Sequence, residues 1–132
     1  MNVSDETLLQ LANLAWKSYD HAYSLGRTKV GAAVLCTDFE KFSGCNVEHR
    51  YRCHDVHAEV NAISTMVAAG HTRLIALVVV SDRKHLSPCG GCLDWILQFG
   101  GPNCVVAWQS HRGGEITAKT AGELMPCHPT YD

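Results

Sequence analysis

No run of lysine and arginine in the 132-residue chain is long enough to follow a phosphate backbone, and the net charge is −2. That balance disfavours a nucleic-acid partner. No apolar stretch approaches the ~20 residues that a membrane-spanning helix needs; the longest runs only from Leu74 to Val80. The opening Met-Asn-Val-Ser-Asp-Glu is acidic and polar, without the basic and apolar regions of a secretory or transit signal. Internal repeats and low-complexity segments are missing too. Cysteine is plentiful but odd in number, at seven. Without an export signal this points to thiols or metal ligands, not a disulfide framework. What is present is an ordinary globular apolar fraction of 46%, enough for one core. The expectation is a cytoplasmic protein with no membrane association, folded as a single domain over residues 1–132.

Ser4 can cap a helix whose first turn carries Asp5 and Glu6, both favourable at the positive end of the helix dipole. Leu8, Leu11, Ala12, Ala15 and Tyr19 recur at helical spacing, and Gly26 offers a stop. Val30 to Cys36 reads as a strand, and its small residues suggest close packing against something flat. Lys41 to Val47 reads as its hairpin partner across Thr37 and Asp38. A polar and aromatic loop, Glu48 to Asp55, leads into a helix from Val56 to Ala69 that ends at Gly70. The unbroken apolar run within Arg73 to Ser81 is typical of a strand covered on both faces. Pro88 opens a helix through Leu93, Trp95, Ile96 and Phe99, followed by strands at Cys104–Trp108 and Ile116–Lys119. Alternation of strand and helix after residue 40 predicts a three-layer α/β/α sandwich, its five-stranded sheet mixed and mostly parallel.

Two motifs fall at predicted helix starts. His57-Ala58-Glu59 opens the helix after the second strand, and Pro88-Cys89-Gly90-Gly91-Cys92 the helix after the third. Ligands of such sheets bind beyond the carboxyl ends of strands, where helices begin. With crossovers of the usual hand, the two helix starts lie side by side. Cys89 and Cys92, three apart, share one face of a turn, and positive helix ends favour thiolate, the form that binds metal. His57, Cys89 and Cys92 then make three ligands with one position left open, the catalytic zinc arrangement. A zinc ion brings the pKa of bound water from near 16 to around 7, and Glu59 stands two residues from His57 to move its protons. Taken singly, the Cys-x-x-C pair also fits a redox role and the His-Ala-Glu an ordinary helix surface. Cys53 and His54, one turn before His57, are rival ligands lacking the following Ala-Glu.

Jointly the motifs match the H-x-E…P-C-x-x-C signature of zinc deaminases, and the sequence resembles the cytidine deaminase superfamily. The small homotetrameric nucleoside cytidine deaminases are the most similar branch. Lys29-Val30-Gly31-Ala32-Ala33 resembles that family's Val-Gly-Ala-Ala strand, and Asn46-Val47-Glu48 its Asn-x-Glu, eleven residues before the first ligand. Ser87-Pro88-Cys89-Gly90-Gly91-Cys92 resembles its Thr/Ser-Pro-Cys-Gly-x-Cys, and Gly122-Glu123-Leu124-Met125-Pro126 its Gly-Glu-Leu-Leu-Pro. The resemblance implies one zinc per subunit and a small-molecule nucleoside substrate. It implies that Asn46 and Glu48 hold the ribose 3′-hydroxyl and that Glu59 reads N3 of the base. By the same likeness the backbone at Ala58 meets O2, and the Ser87 carbonyl accepts from the amino group. A solvated turn is the alternative for Asn46 and Glu48. Homotetramers, with a dimer as alternative, are implied as well, the tail from Cys127 to Asp132 with Tyr131 reaching a neighbour's site.

Departures from the family bear on the substrate. Its usual Cys-Ala-Glu-Arg is here His57-Ala58-Glu59-Val60. Three thiolates on Zn²⁺ leave a net −1 that an arginine offsets; an imidazole leaves the core neutral, so Val60 matches His57. His-Ala-Glu followed by Val-Asn-Ala-Ile resembles the deoxycytidylate and tRNA-adenosine deaminase branches instead. Thr28 stands where the nucleoside enzymes commonly carry a phenylalanine against the base, and Arg50 and Arg52 offer contacts to a phosphate. The leading expectation is zinc-dependent hydrolytic deamination of cytidine, deoxycytidine or a modified cytidine to the uridine product and ammonia. Alternatives are another amino-substituted ring (a blasticidin-type nucleoside, a nucleotide such as dCMP, or a purine) and a zinc-stabilised structural or redox domain.

Overall fold

A computed structural model describes residues 3–129. Ser4 caps helix α1 (Asp5–Tyr19), its hydroxyl accepting from the Thr7 N–H. The apolar stripe of α1 (Leu8, Leu11, Ala12, Ala15, Trp16) lies on one face of the sheet against Ala33, Leu35, Ala76, Val78, Val80 and Ala107. The helix closes at Asp20, well before Gly26, because the chain must turn back to reach the sheet.

Strands β1 (Gly31–Cys36), β2 (Lys41–Cys45), β3 (Leu74–Val80), β4 (Val105–Gln109) and β5 (Ile116–Thr120) form one sheet in the order β2-β1-β3-β4-β5. Helices α2 (Ala58–Ala68) and α3 (Gly90–Gly100) cover the face opposite α1. Successive strand residues point to opposite layers, so Ala32, Val34, Leu77 and Val79 meet Ala62, Ile63, Met66 and Ile96 there. The expected α/β/α sandwich with a mixed five-stranded sheet is what forms.

The expectation of a mostly parallel sheet needs correction. Only β3–β4 pair in parallel; β1–β2, β1–β3 and β4–β5 are antiparallel. The hairpin strand β1 inserts between β2 and β3, and β5 returns as a hairpin from β4. Directions nevertheless put the carboxyl ends of β2, β3 and β4 at one edge, because β1 is antiparallel to both of its neighbours. The helices following β2 and β3 therefore start at that same edge.

Two close approaches fix these layers. A Cβ at Gly31 would stand 2.1 Å from the Ala15 carbonyl oxygen, and one at Gly44 2.5 Å from the Ala62 nitrogen. Backbone lies on both sides, so neither contact can relax cheaply. A fourth helix, α4 (Ala121–Leu124), follows β5 behind a capping box between Thr120 and Glu123. Its Thr-x-x-Glu signal stands in the sequence but is overshadowed there by the longer Gly-Glu-Leu-Met-Pro match. No helix among the described residues is long and apolar enough to cross a membrane.

Candidate active site

His57 and Cys89 are the N-cap residues of α2 and α3, both in extended backbone, and neither side chain caps its own helix. The two side chains are left free to face each other across the gap between the helix starts. Cys92, three residues after Cys89, is buried. His57 Nδ1 lies 3.3 Å from Cys92 Sγ and 3.5 Å from Cys89 Sγ, and all three donor atoms lie within 4.8 Å of one another. Zinc bonds of about 2.1 Å to nitrogen and 2.3 Å to sulfur, set tetrahedrally, separate such atoms by about 3.6 Å. The donor set therefore fits one zinc ion in chemistry and in spacing. The rivals Cys53 and His54 are exposed in a short 3₁₀ turn, where the His54 ring meets His49 and Tyr51 instead.

Glu59, only 6% exposed, stands beside this set, close enough to Cys92 for each to perturb the other's titration. Burial pushes its carboxyl above the ordinary carboxylate range. Burial also pushes the Cys92 thiol up, and the charges of Glu59 and Cys89 add to the rise. These effects outweigh the helix ends that were expected to favour thiolate. A divalent cation among the ligands acts the opposite way, favouring both charged forms. A carboxyl and two thiols crowded together make sense around a cation and are costly without one.

A cavity of about 360 Å³ opens beside the set, within the range of small-ligand sites. His57, Ala58, Glu59 and Cys89 line it, as do Asn46, Glu48 and Ser87. All eight expected site residues thus converge, with Cys92 just behind the wall. Asn46 and Glu48 are buried, so the solvated-turn alternative fails for both. The Asn46 amide accepts from the Val30 N–H at 2.7 Å and donates to the Thr28 carbonyl at 2.9 Å, fixing the segment that carries Thr28 into the cavity. Glu48 Oε1 accepts from the backbone N–H groups of Leu25 and Gly26 and from Ser24. Hydrogen bonds, led by that of Leu25, hold its carboxyl below the usual range.

The expectation of phosphate contacts from Arg52 meets a different arrangement. Its guanidinium donates to Glu48 Oε2 at 3.0 Å and to Asp55 Oδ2 at 2.8 Å, so two carboxylates already face it. Arg83 and His85, which sequence reasoning passed over, also line the cavity. The available signal was their place in the loop leaving the carboxyl end of β3, which topology aims at the site.

Comparison with known proteins agrees with this geometry. The family model described as "Cytidine and deoxycytidylate deaminase zinc-binding region" matches residues 4–108. A cytidine deaminase of Sporosarcina psychrophila is 32% identical over 112 residues, covering 83% of this chain and 82% of that protein. A blasticidin-S deaminase of Bacillus cereus is 28% identical over 134 residues, covering 95% and 93%. The crystal structure of cytidine deaminase from Burkholderia pseudomallei superposes with a TM-score of 0.85 at 29% identity, covering 95% of this chain and 98% of that one. Sequence, fold and the zinc-binding region all match over most of the length, and the chain belongs to the cytidine deaminase family.

Proposed function

We propose that this single-domain chain hydrolyses the exocyclic C–N bond of a cytosine nucleoside (cytidine, deoxycytidine or a modified cytidine), giving the uridine product and ammonia. One observation carries the reading: His57, Cys89 and Cys92 hold their donor atoms within 4.8 Å beside buried Glu59, at the wall of a nucleoside-sized cavity. One zinc per subunit, when bound by these three, makes a water molecule acidic near neutral pH. Glu59 accepts a proton from the attacking water and delivers it to N3 of the ring. The water oxygen adds to C4 as the C4=N3 double bond opens, and the exocyclic C4–N bond then breaks as the C4=O bond forms. The second water proton, carried by the same carboxylate, leaves on the amino nitrogen as ammonia.

Other residues position the ring and sugar. Ala58 opens α2, where backbone N–H groups lack helical partners, and its N–H is assigned to O2 of the base. The carbonyl of Ser87 accepts from the amino group. Asn46 keeps a second amide hydrogen and Glu48 spare lone pairs, which serve the ribose 3′-hydroxyl while their present bonds hold the loops. The assembly in this reading is a homotetramer, a dimer being the alternative, in the cytoplasm. The tail's Tyr131 and Asp132 lie outside the described residues.

A second reading, a bulkier blasticidin-type cytosine nucleoside, draws on Thr28 in the cavity wall and on the extent of the match to a blasticidin-S deaminase. Arg52 faces Glu48 and Asp55 and so offers the nucleotide reading no free cation, whereas Arg83 in the cavity wall keeps that reading among the arms of the test. A panel of pyrimidine and purine bases, nucleosides and nucleotides, watched for ammonia, tests the proposal. Turnover confined to cytosine nucleosides is expected, and preference for a monophosphate or a purine would reject it. Thr28→Phe should depress turnover of a bulky cytosine nucleoside more than that of cytidine, and an equal effect on both would remove Thr28 from specificity.

A further inference from the structure

At the opposite edge of the sheet from the cavity, a second group of metal-ligating side chains has no part in deamination. Cys36 ends β1, pairing with Leu74 at the start of β3, and its side chain is buried with no hydrogen bond to its thiol among the described residues. Asp38 lies in the turn that follows. His71 comes just after Gly70, whose φ of +96° turns the chain at the end of α2. The donor atoms of Cys36, Asp38 and His71 lie within 4.8 Å of one another. We propose that these three residues form a second divalent-cation site, of the zinc class, with Glu40 orienting the histidine from outside.

An imidazolium donating both N–H groups would satisfy Asp38 and Glu40 but would give the buried Cys36 thiol no partner, so ion pairing alone does not explain why sulfur joins the cluster. His71 Nδ1 lies 2.9 Å from Asp38 Oδ2, and Nε2 lies 3.0 Å from Glu40 Oε2. An imidazole carrying one N–H donates to only one of two carboxylates. If Nε2–H donates to Glu40, Nδ1 turns a lone pair toward Asp38, with the buried sulfur in the same cluster. A cation there satisfies nitrogen, carboxylate and thiolate together. The Glu40 contact is then the outer carboxylate that commonly fixes the tautomer of a metal-bound histidine. Sulfur, nitrogen and one carboxylate oxygen suit zinc better than calcium or magnesium, which take oxygen shells.

The backbone already holds the ligands in place. Cys36 N–H donates to the Glu40 carbonyl at 2.8 Å, and Phe39 N–H to the Cys36 carbonyl at 2.9 Å. His71 N–H donates to the Met66 carbonyl at 3.1 Å, and its ring packs on Phe42. A cation here ties the β1–β2 turn to the end of α2, the helix whose other end carries His57 and Glu59. The eleven residues of α2 span about 16 Å, so the two sites bracket one helix.

Zinc titration of the full chain, with metal content and melting temperature recorded, tests the proposal. The native chain should take up one equivalent beyond that held by His57, Cys89 and Cys92. Asp38→Asn, at an exposed position, and His71→Ala should each lose that equivalent, with its rise in melting temperature, while turnover is unchanged. A Cys89→Ser chain should still take up zinc at the second site, which separates this outcome from any failure at the first. No uptake beyond one equivalent in the native chain, or an extra equivalent that persists in Asp38→Asn and His71→Ala, would overturn it.

Discussion

At the scale of single residues, Glu59 and Cys92 set the terms of the site. Both are buried and shifted toward their protonated forms, so a bound cation would favour their charged forms. The pairing of His57 with Val60 follows from the same electrostatics. His57→Cys places a third thiolate in the set, and its extra negative charge should raise the acid limb of the pH–rate profile by about one unit or more. Adding Val60→Arg should recover part of that shift, and a profile that the first change leaves unmoved would remove charge matching from the account. Glu48 makes a separate pH prediction for stability. Its carboxyl binds a proton less readily when folded than when unfolded. Its contribution is therefore present above the unfolded carboxylate pKa of about 4.3 and lost as pH falls through the lower folded value. Urea unfolding between neutral and acid pH should show a shallower acid loss for Glu48→Gln than for the native chain. The positions of His57, Cys89 and Cys92 at helix starts were legible in the sequence because such starts are strongly signalled and the motif residues occupy them. The Arg52 pairs with Glu48 and Asp55 were not, since they depend on the path of a loop whose composition leaves its turns open. The bonds from Asn46 to Thr28 and Val30 join positions 18 and 16 apart, respectively, beyond any local pattern.

At the scale of elements, close packing of α2 on β2 carries the His57 end of the site. Gly44 permits the approach, because a Cβ there meets backbone atoms of Asn61 and Ala62. Asn61 also donates to the Cys45 carbonyl at 2.8 Å. Gly44→Ala should cost about 1–3 kcal/mol in unfolding free energy and weaken zinc retention with it, both readable by denaturant titration and metal analysis. A variant as stable as the native chain would mean that α2 can shift without consequence. Periodicity and turn residues made all five strands and the three long helices legible. Adjacency was harder. Alternating strands and helices dictate that β2, β3 and β4 run in one direction, but not that β1 enters between β2 and β3. The site survived that miss because its position depends on strand direction and not on which strands touch. Helix α1 stops at Tyr19 for a tertiary reason, the return of the chain to the sheet, and a distant glycine does not report it.

At the scale of the whole molecule, the candidate site joins two crossover units, one carrying His57 and the other Cys89 and Cys92 at the starts of their helices. A cation held by these three side chains would tie the two units together, stabilising the fold as well as serving the reaction. Chelation should abolish turnover and lower unfolding free energy by about 4 kcal/mol if zinc had been present at a thousand times its dissociation constant. Readdition should restore both, and a melting temperature indifferent to chelation would contradict the tie. The most direct test of the central claim pairs ammonia release from cytidine and its modified relatives with zinc content in Glu59→Gln. Native turnover should fall by a factor of about 10²–10⁴ or more in the variant, with zinc retained in full. Undiminished turnover in Glu59→Gln, or no ammonia from any cytosine nucleoside with the zinc-loaded native chain, would contradict it.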